Sequence, residues 1–124
     1  MDKQEFSKLV EKAIENLPED FKKRLENVDI VVEKIPSPAI KNNPKIGPKK
    51  GLLLGLYQGV PQNRRTTYYQ GVLPDKITLY KQHIELIGRG EADKIKQIIG
   101  HTIQHEIAHH FGISDKRLKD LGVY

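Results

Sequence analysis

The stretch His105-Glu106-Ile107-Ala108-His109-His110-Phe111-Gly112-Ile113-Ser114-Asp115 has the form H-E-x-x-H-x-x-G-x-x-D. The residues before it, from about 91, keep a helical apolar period through Ile95, Ile99 and Ile103, which predicts one long helix over residues 91–111. Gly112 is the residue best able to end it, since glycine adopts the left-handed conformation at little cost. At about 100° per residue, with His105 at zero, His109 lies near 40° one turn further on, so both rings can reach one point. Thr102 falls near 60°, Glu106 near 100° and Ile99 near 120°, so the two imidazoles are expected to face inward, against a sheet. His101 lies on a polar arc with Lys94, Gln97 and Gln104 and is expected to be solvated, whereas His110 points elsewhere and should pack or hydrogen-bond.

That donor pattern has a chemistry. Two imidazoles four residues apart on a helix, with a carboxylate after the first, can hold a zinc ion and activate a water. His105 and His109 are the candidate metal ligands, and Asp115, brought back by the turn at Gly112, is the candidate third. A fourth position would stay open, as catalytic zinc sites require. Glu106 is then the general base that accepts the proton of the attacking water. Cobalt or manganese suits the same ligands. The competing reading is an ordinary helix with surface histidines, but a core-facing glutamate flanked by imidazoles would be costly to bury without a purpose.

Outward from this helix, Phe6, Leu9, Val10, Ala13, Ile14 and Leu17 recur at helical spacing and predict a helix over residues 3–16. Pro18 opens a second, short helix to about residue 26, carrying Phe21 and Leu25. Residues 28–32 are β-branched and read as a strand, residues 52–57 as a buried strand and residues 76–80 as an alternating one. Gly55 and Gly59 allow a bulge or a close backbone approach. Residues 84–87 begin a short helix, and Ser114 suits the cap of a last one. Between them, residues 34–51, with Pro36, Pro38, Pro44 and Pro48, read as an irregular, mobile loop. The expected architecture is α+β, a small mixed or antiparallel sheet packed on a long helix with helices at the N-terminal end, in a single domain spanning residues 1–124.

Composition narrows the function classes. There are no cysteines, which excludes thiol catalysis and cysteine-ligated zinc. The first residues are charged, without an apolar signal core, and the run at Leu52-Leu53-Leu54 is far too short for a bilayer, so a cytoplasmic protein without membrane partners is expected. The formal charge of +5 admits nucleic acid, but no arginine-rich or aromatic-interleaved basic motif accompanies it.

At this point the chain resembles a known family, the small bacterial zincin-like metallopeptidases. The likeness is carried by Leu17-Pro18-Glu19, by Leu54-Gly55-Leu56-Tyr57-Gln58-Gly59-Val60-Pro61, by Leu73-Pro74-Asp75-Lys76-Ile77-Thr78-Leu79-Tyr80 and by the stretch from His105 to Ile113. It implies a zincin-like fold, Zn2+ held by His105, His109 and Asp115, Glu106 as base, and hydrolysis of peptides or unfolded proteins, with endopeptidase action expected. Met1 is the only methionine, so the methionine turn of the metzincins is absent. An oxyanion donor is also needed. Tyr57, Arg64, Arg65, Tyr68 and Tyr69 lie in the segment expected to border the cleft, and Tyr68, Arg64 and Arg65 are the candidates for oxyanion or substrate binding. The alternative function is a zincin-fold metal-binding or regulatory module with little hydrolysis, which would have no need of Glu106.

Overall fold

The computed structural model describes residues 1–43, 51–59 and 74–112. The first helix, α1 (Lys3–Glu15), starts where the Asp2 side chain accepts from the Glu5 N–H at 2.8 Å, and it buries Phe6, Val10 and Ala13. A short helix, α2 (Glu19–Arg24), follows Pro18 with acids in its first turn and bases in its last, the order that suits the helix dipole. Strand β1 (Val28–Glu33) alternates half-buried Val28, Ile30 and Val32 with exposed neighbours. Within the stretch expected to be irregular, Ser37 caps a one-turn helix, α3 (Pro38–Lys41), its hydroxyl accepting from the Ile40 N–H at 3.4 Å. Ser-Pro at cap and first turn is a legible start signal, too short-lived here to show as a periodic pattern.

The sheet is mixed. Strand β3 (Asp75–Tyr80) is central, β1 pairs with it in parallel (Val28 opposite Asp75), and β2 (Gly55–Gln58) pairs antiparallel on its other side (Tyr57 opposite Ile77). Its central place explains why β3 is buried from Ile77 through Tyr80, on both faces, while β1 alternates. Strand β2 begins later than the Leu-rich run suggests and is, among the described strands, an edge strand with only Gly55 buried. Leu52 and Leu53 line a surface pocket with Ile35 and Pro36, and the Leu53 carbonyl accepts from His83 Nδ1 at 2.8 Å. The apolar run thus divides, Leu52 and Leu53 lining a surface pocket and Leu54 packing against the core.

Helix α4 (Lys81–Ile87) follows β3 directly and ends at Gly88. The long helix α5 (Ala92–His110) then crosses the molecule and ends before Gly112, whose φ of +72° is the left-handed stop expected from the sequence. Ile95, Ile99, Ile103 and Ile107 of α5 are fully buried with Phe6, Ile77, Leu79 and Ile84 in one core between the helices and the sheet. Among the described residues no helix is long and apolar enough to cross a membrane.

Candidate metal centre

The site is built where α5 meets the edge strand β2. The approach is unusually close because position 55 is glycine. A Cβ there would lie 2.7 Å from Thr102 Cγ2 and 3.1 Å from the Thr78 carbonyl oxygen, closer than carbon atoms pack. The close backbone approach expected of Gly55 is therefore met, and Thr102 is the helical residue that fills the space. Glu106 stands one turn further along the same face. Its Oε1 accepts a hydrogen bond from the backbone N–H of Tyr57 at 3.0 Å.

That hydrogen bond fixes which way β2 presents its backbone. The Tyr80 N–H donates to the Leu54 carbonyl at 2.9 Å, so Leu54 faces β3. Alternation along an antiparallel strand then turns Leu56 and Gln58 towards β3, and Gly55 and Tyr57 outwards. Glu106 thus occupies an outward donor of an edge strand. Burial pushes its carboxyl above the ordinary carboxylate range, while the Tyr57 N–H and the nearby His109 pull in the other direction. A carboxyl shifted this way binds a proton more readily than one in water.

His105 is half-buried and His109 exposed, with ring centroids 5.6 Å apart and planes nearly perpendicular. The helical-wheel expectation that both face the core needs correction. The buried arc of α5 is centred on Ile99, Ile103 and Ile107, so His105 and His109 sit at its margin, open to the solvent side. Thr102 and Glu106 mark one edge of that arc, not its middle. The donor set fits zinc. Two imidazoles sharing one ion at about 2.0–2.1 Å per Zn–N bond have ring centres roughly 5 Å apart at tetrahedral angles. Among the described residues no three histidine, aspartate or glutamate side chains converge, and His105 and His109 are the pair that could hold an ion. Asp115 and Ser114 lie outside the described residues, as do Arg64, Arg65, Tyr68 and Tyr69.

The remaining histidines fall as their helical angles indicate. His101 is exposed, its ring 4.5 Å from that of His105. The imidazole of His110 stacks on the Tyr57 ring at 3.9 Å and 15°, a packing role and not a ligand's direction. The Tyr57 hydroxyl donates to Asp75 Oδ2 at 2.8 Å. The sequence placed Tyr57 beside the cleft but held no sign that its backbone would meet Glu106, 49 positions away. Nor did it mark Asp75 as more than a turn residue. Only the fold brings these together.

No curated protein sequence matches the chain. The structure of a conserved hypothetical protein from T. thermophilus is similar, with 29% sequence identity over 90% of this chain and 94% of that one, at a TM-score of 0.54. The family described as zincin-like metallopeptidase matches residues 25–123, which take in the whole sheet and all of α5. With a small mixed sheet, a long helix bearing the two-histidine pattern and a match over most of its length, the chain belongs to the zincin-like metallopeptidases.

Proposed function

We propose that the chain is a zinc-dependent endopeptidase, with His105, His109 and Asp115 as metal ligands and Glu106 as general base. The observation that carries this reading is the position of Glu106, a half-buried carboxylate held by an edge-strand N–H beside two imidazoles. A metal-binding module has no use for such a group, and its partial burial is a cost without one. Bound zinc supplies Lewis acidity towards the scissile carbonyl and acidifies the attacking water. Glu106 takes that water's proton as the oxygen attacks the carbonyl carbon. It then gives the proton to the amine nitrogen as the C–N bond breaks, leaving a carboxylic acid and an amine.

The substrate is an extended segment of a peptide or unfolded protein, laid along the free edge of β2 as an added strand. Gly55 and Tyr57 offer its outward backbone groups. The Tyr57 N–H stays on Glu106, so a peptide pairs there through the outward groups of Gly55 and the Tyr57 carbonyl. Tyr68, Arg64 and Arg65 are the candidates to stabilise the oxyanion or hold substrate. Residues 1–124 work as one domain in the cytoplasm, without membrane or nucleic-acid partners.

The test pairs metal analysis with turnover of denatured protein and a mixed peptide library. About one zinc per chain is expected, lost in His105→Ala and weakened in Asp115→Ala. Glu106→Gln should keep the metal and lose turnover. Wild-type protein fully loaded with zinc that cleaves none of these substrates would overturn the peptidase reading in favour of a metal-binding module.

A further inference from the structure

Among the described residues, Tyr57 meets Glu106, Asp75 and His110 through its N–H, its hydroxyl and its ring. Its N–H binds Glu106 of α5 at 3.0 Å. Its hydroxyl binds Asp75, the first residue of β3, at 2.8 Å. Its ring lies flat against His110 of α5, centroid to centroid 3.9 Å. Glu106 and His110 are four residues apart and so project from one face of the helix. The strand residue is thus clamped to α5 at two successive turns and to β3 at one end.

We infer that Tyr57 is a positioning residue for Glu106, with His110 and Asp75 as the two anchors that hold its N–H against the carboxylate. The inference rests on the proposed role of Glu106 as base. The physical need is plain. Strand β2 has four residues, pairs among the described residues with β3 alone, and has a glycine at its first position and another just after its last. Backbone pairing to β3 fixes the strand's register along the sheet, but it leaves the free edge able to tilt away from α5. The stacked ring and the hydroxyl oppose that tilt from either side. Neither anchor touches the reacting atoms. Their effect on hydrolysis runs through the distance between the Tyr57 nitrogen and Glu106. This gives a purpose to His110, which stands beside a candidate metal ligand but, by its helical angle and its stacking, is not itself one.

The experiment uses the full chain and three variants, His110→Ala, His110→Phe and Tyr57→Phe, with Glu106→Ala, which has no side-chain acceptor, as the reference for a lost hydrogen bond. The readouts are zinc content, kcat and KM, and the chemical shift of the Tyr57 amide in 1H–15N spectra. In His110→Ala the Tyr57 amide should move towards its position in Glu106→Ala, with kcat down about tenfold, the scale of a sub-ångström to ångström misplacement. His110→Phe keeps a ring for the stack, so it should restore the amide shift and bring kcat back to within about twofold of wild type. Tyr57→Phe keeps ring and N–H but loses the bond to Asp75, and should fall between. Zinc content should be unchanged in all three.

Loss of zinc in His110→Ala would overturn the inference by making His110 a ligand. So would a wild-type amide shift and kcat in that variant, or a loss that phenylalanine does not rescue. If zinc-loaded wild type cleaves nothing while the amide shifts follow this order, the peptidase reading fails and the positioning of the carboxylate stands.

Discussion

Gly55→Ala tests the packing on which the whole site depends. The added Cβ would lie 2.7 Å from Thr102 Cγ2, about 1 Å inside ordinary carbon contact, and 3.1 Å from the Thr78 carbonyl oxygen. Neither neighbour can yield easily. Thr102 is β-branched on a helix, with its rotamer restricted, and it is only 8% exposed, while the Thr78 oxygen belongs to the central strand. Helix α5 must therefore back away from β2. Overpacking of this kind costs about 1–3 kcal/mol, and alanine's smaller backbone entropy loss returns about 0.5–1, so a net loss of roughly 1–2 kcal/mol is expected. In a domain of this size that lowers Tm by about 4–8 °C. A displacement of about 1 Å would also stretch the Tyr57–Glu106 hydrogen bond past the distance at which such bonds count. The assay is urea denaturation of Gly55→Ala, Thr102→Ser and the double variant. Serine removes the obstructing methyl and leaves the clash with Thr78, so the double variant should recover about half the loss, a coupling near 1 kcal/mol. Costs that simply add, or a neutral Gly55→Ala, would refute the close-packing account of the site.

Three further outcomes follow from particular residues. Because burial raises the Glu106 carboxyl in the folded chain, the folded state holds that proton over a pH range where the unfolded state has released it. Stability of the metal-free protein should therefore fall as pH rises from the ordinary carboxylate value through the folded one. Glu106→Gln should gain on wild type across that window and match it below, and a pH-independent difference in urea midpoints would contradict this. Gly112→Ala meets nothing among the described residues, so the cost expected is that of the left-handed backbone, about 1–2 kcal/mol, read as a lower Tm. Asp2→Ala removes the cap on α1 and should cost about 1 kcal/mol, and an unchanged urea midpoint would show that Asp2 does not hold the helix end.

What the sequence revealed is what local spacing controls. The length of α5, its stop at Gly112, the shared face of His105 and His109, and the diverging directions of His101 and His110 all follow from helical geometry. Depth does not. Angles on a wheel say which residues are neighbours, not where the core's centre lies, and here Ile103 and Ile107 draw it away from the histidines. The Leu52-Leu53-Leu54 run looked like a buried strand because apolar composition marks burial of any kind, pocket or sheet. The α3 turn went unseen because one turn has no period to detect.

The most consequential contact was also the least legible. Residue type predicts what a side chain can do, but at position 57 the functional atom is the backbone nitrogen, which every residue possesses and every residue except proline can use as a donor. Its meeting with Glu106 depends on three facts that no single stretch encodes. Strand β2 must pair antiparallel with β3, so that odd positions turn outward. It must lie last in the order of the described strands, so that its outward N–H points away from β3. And α5 must come close enough to supply the acceptor, which Gly55 permits from the strand and Thr102 measures from the helix. A buried donor left unpaired would cost about as much as the fold can spare from one contact. The carboxylate on α5 removes that cost, and so the residue with the strongest chemical signal in the sequence also seals the edge of the sheet.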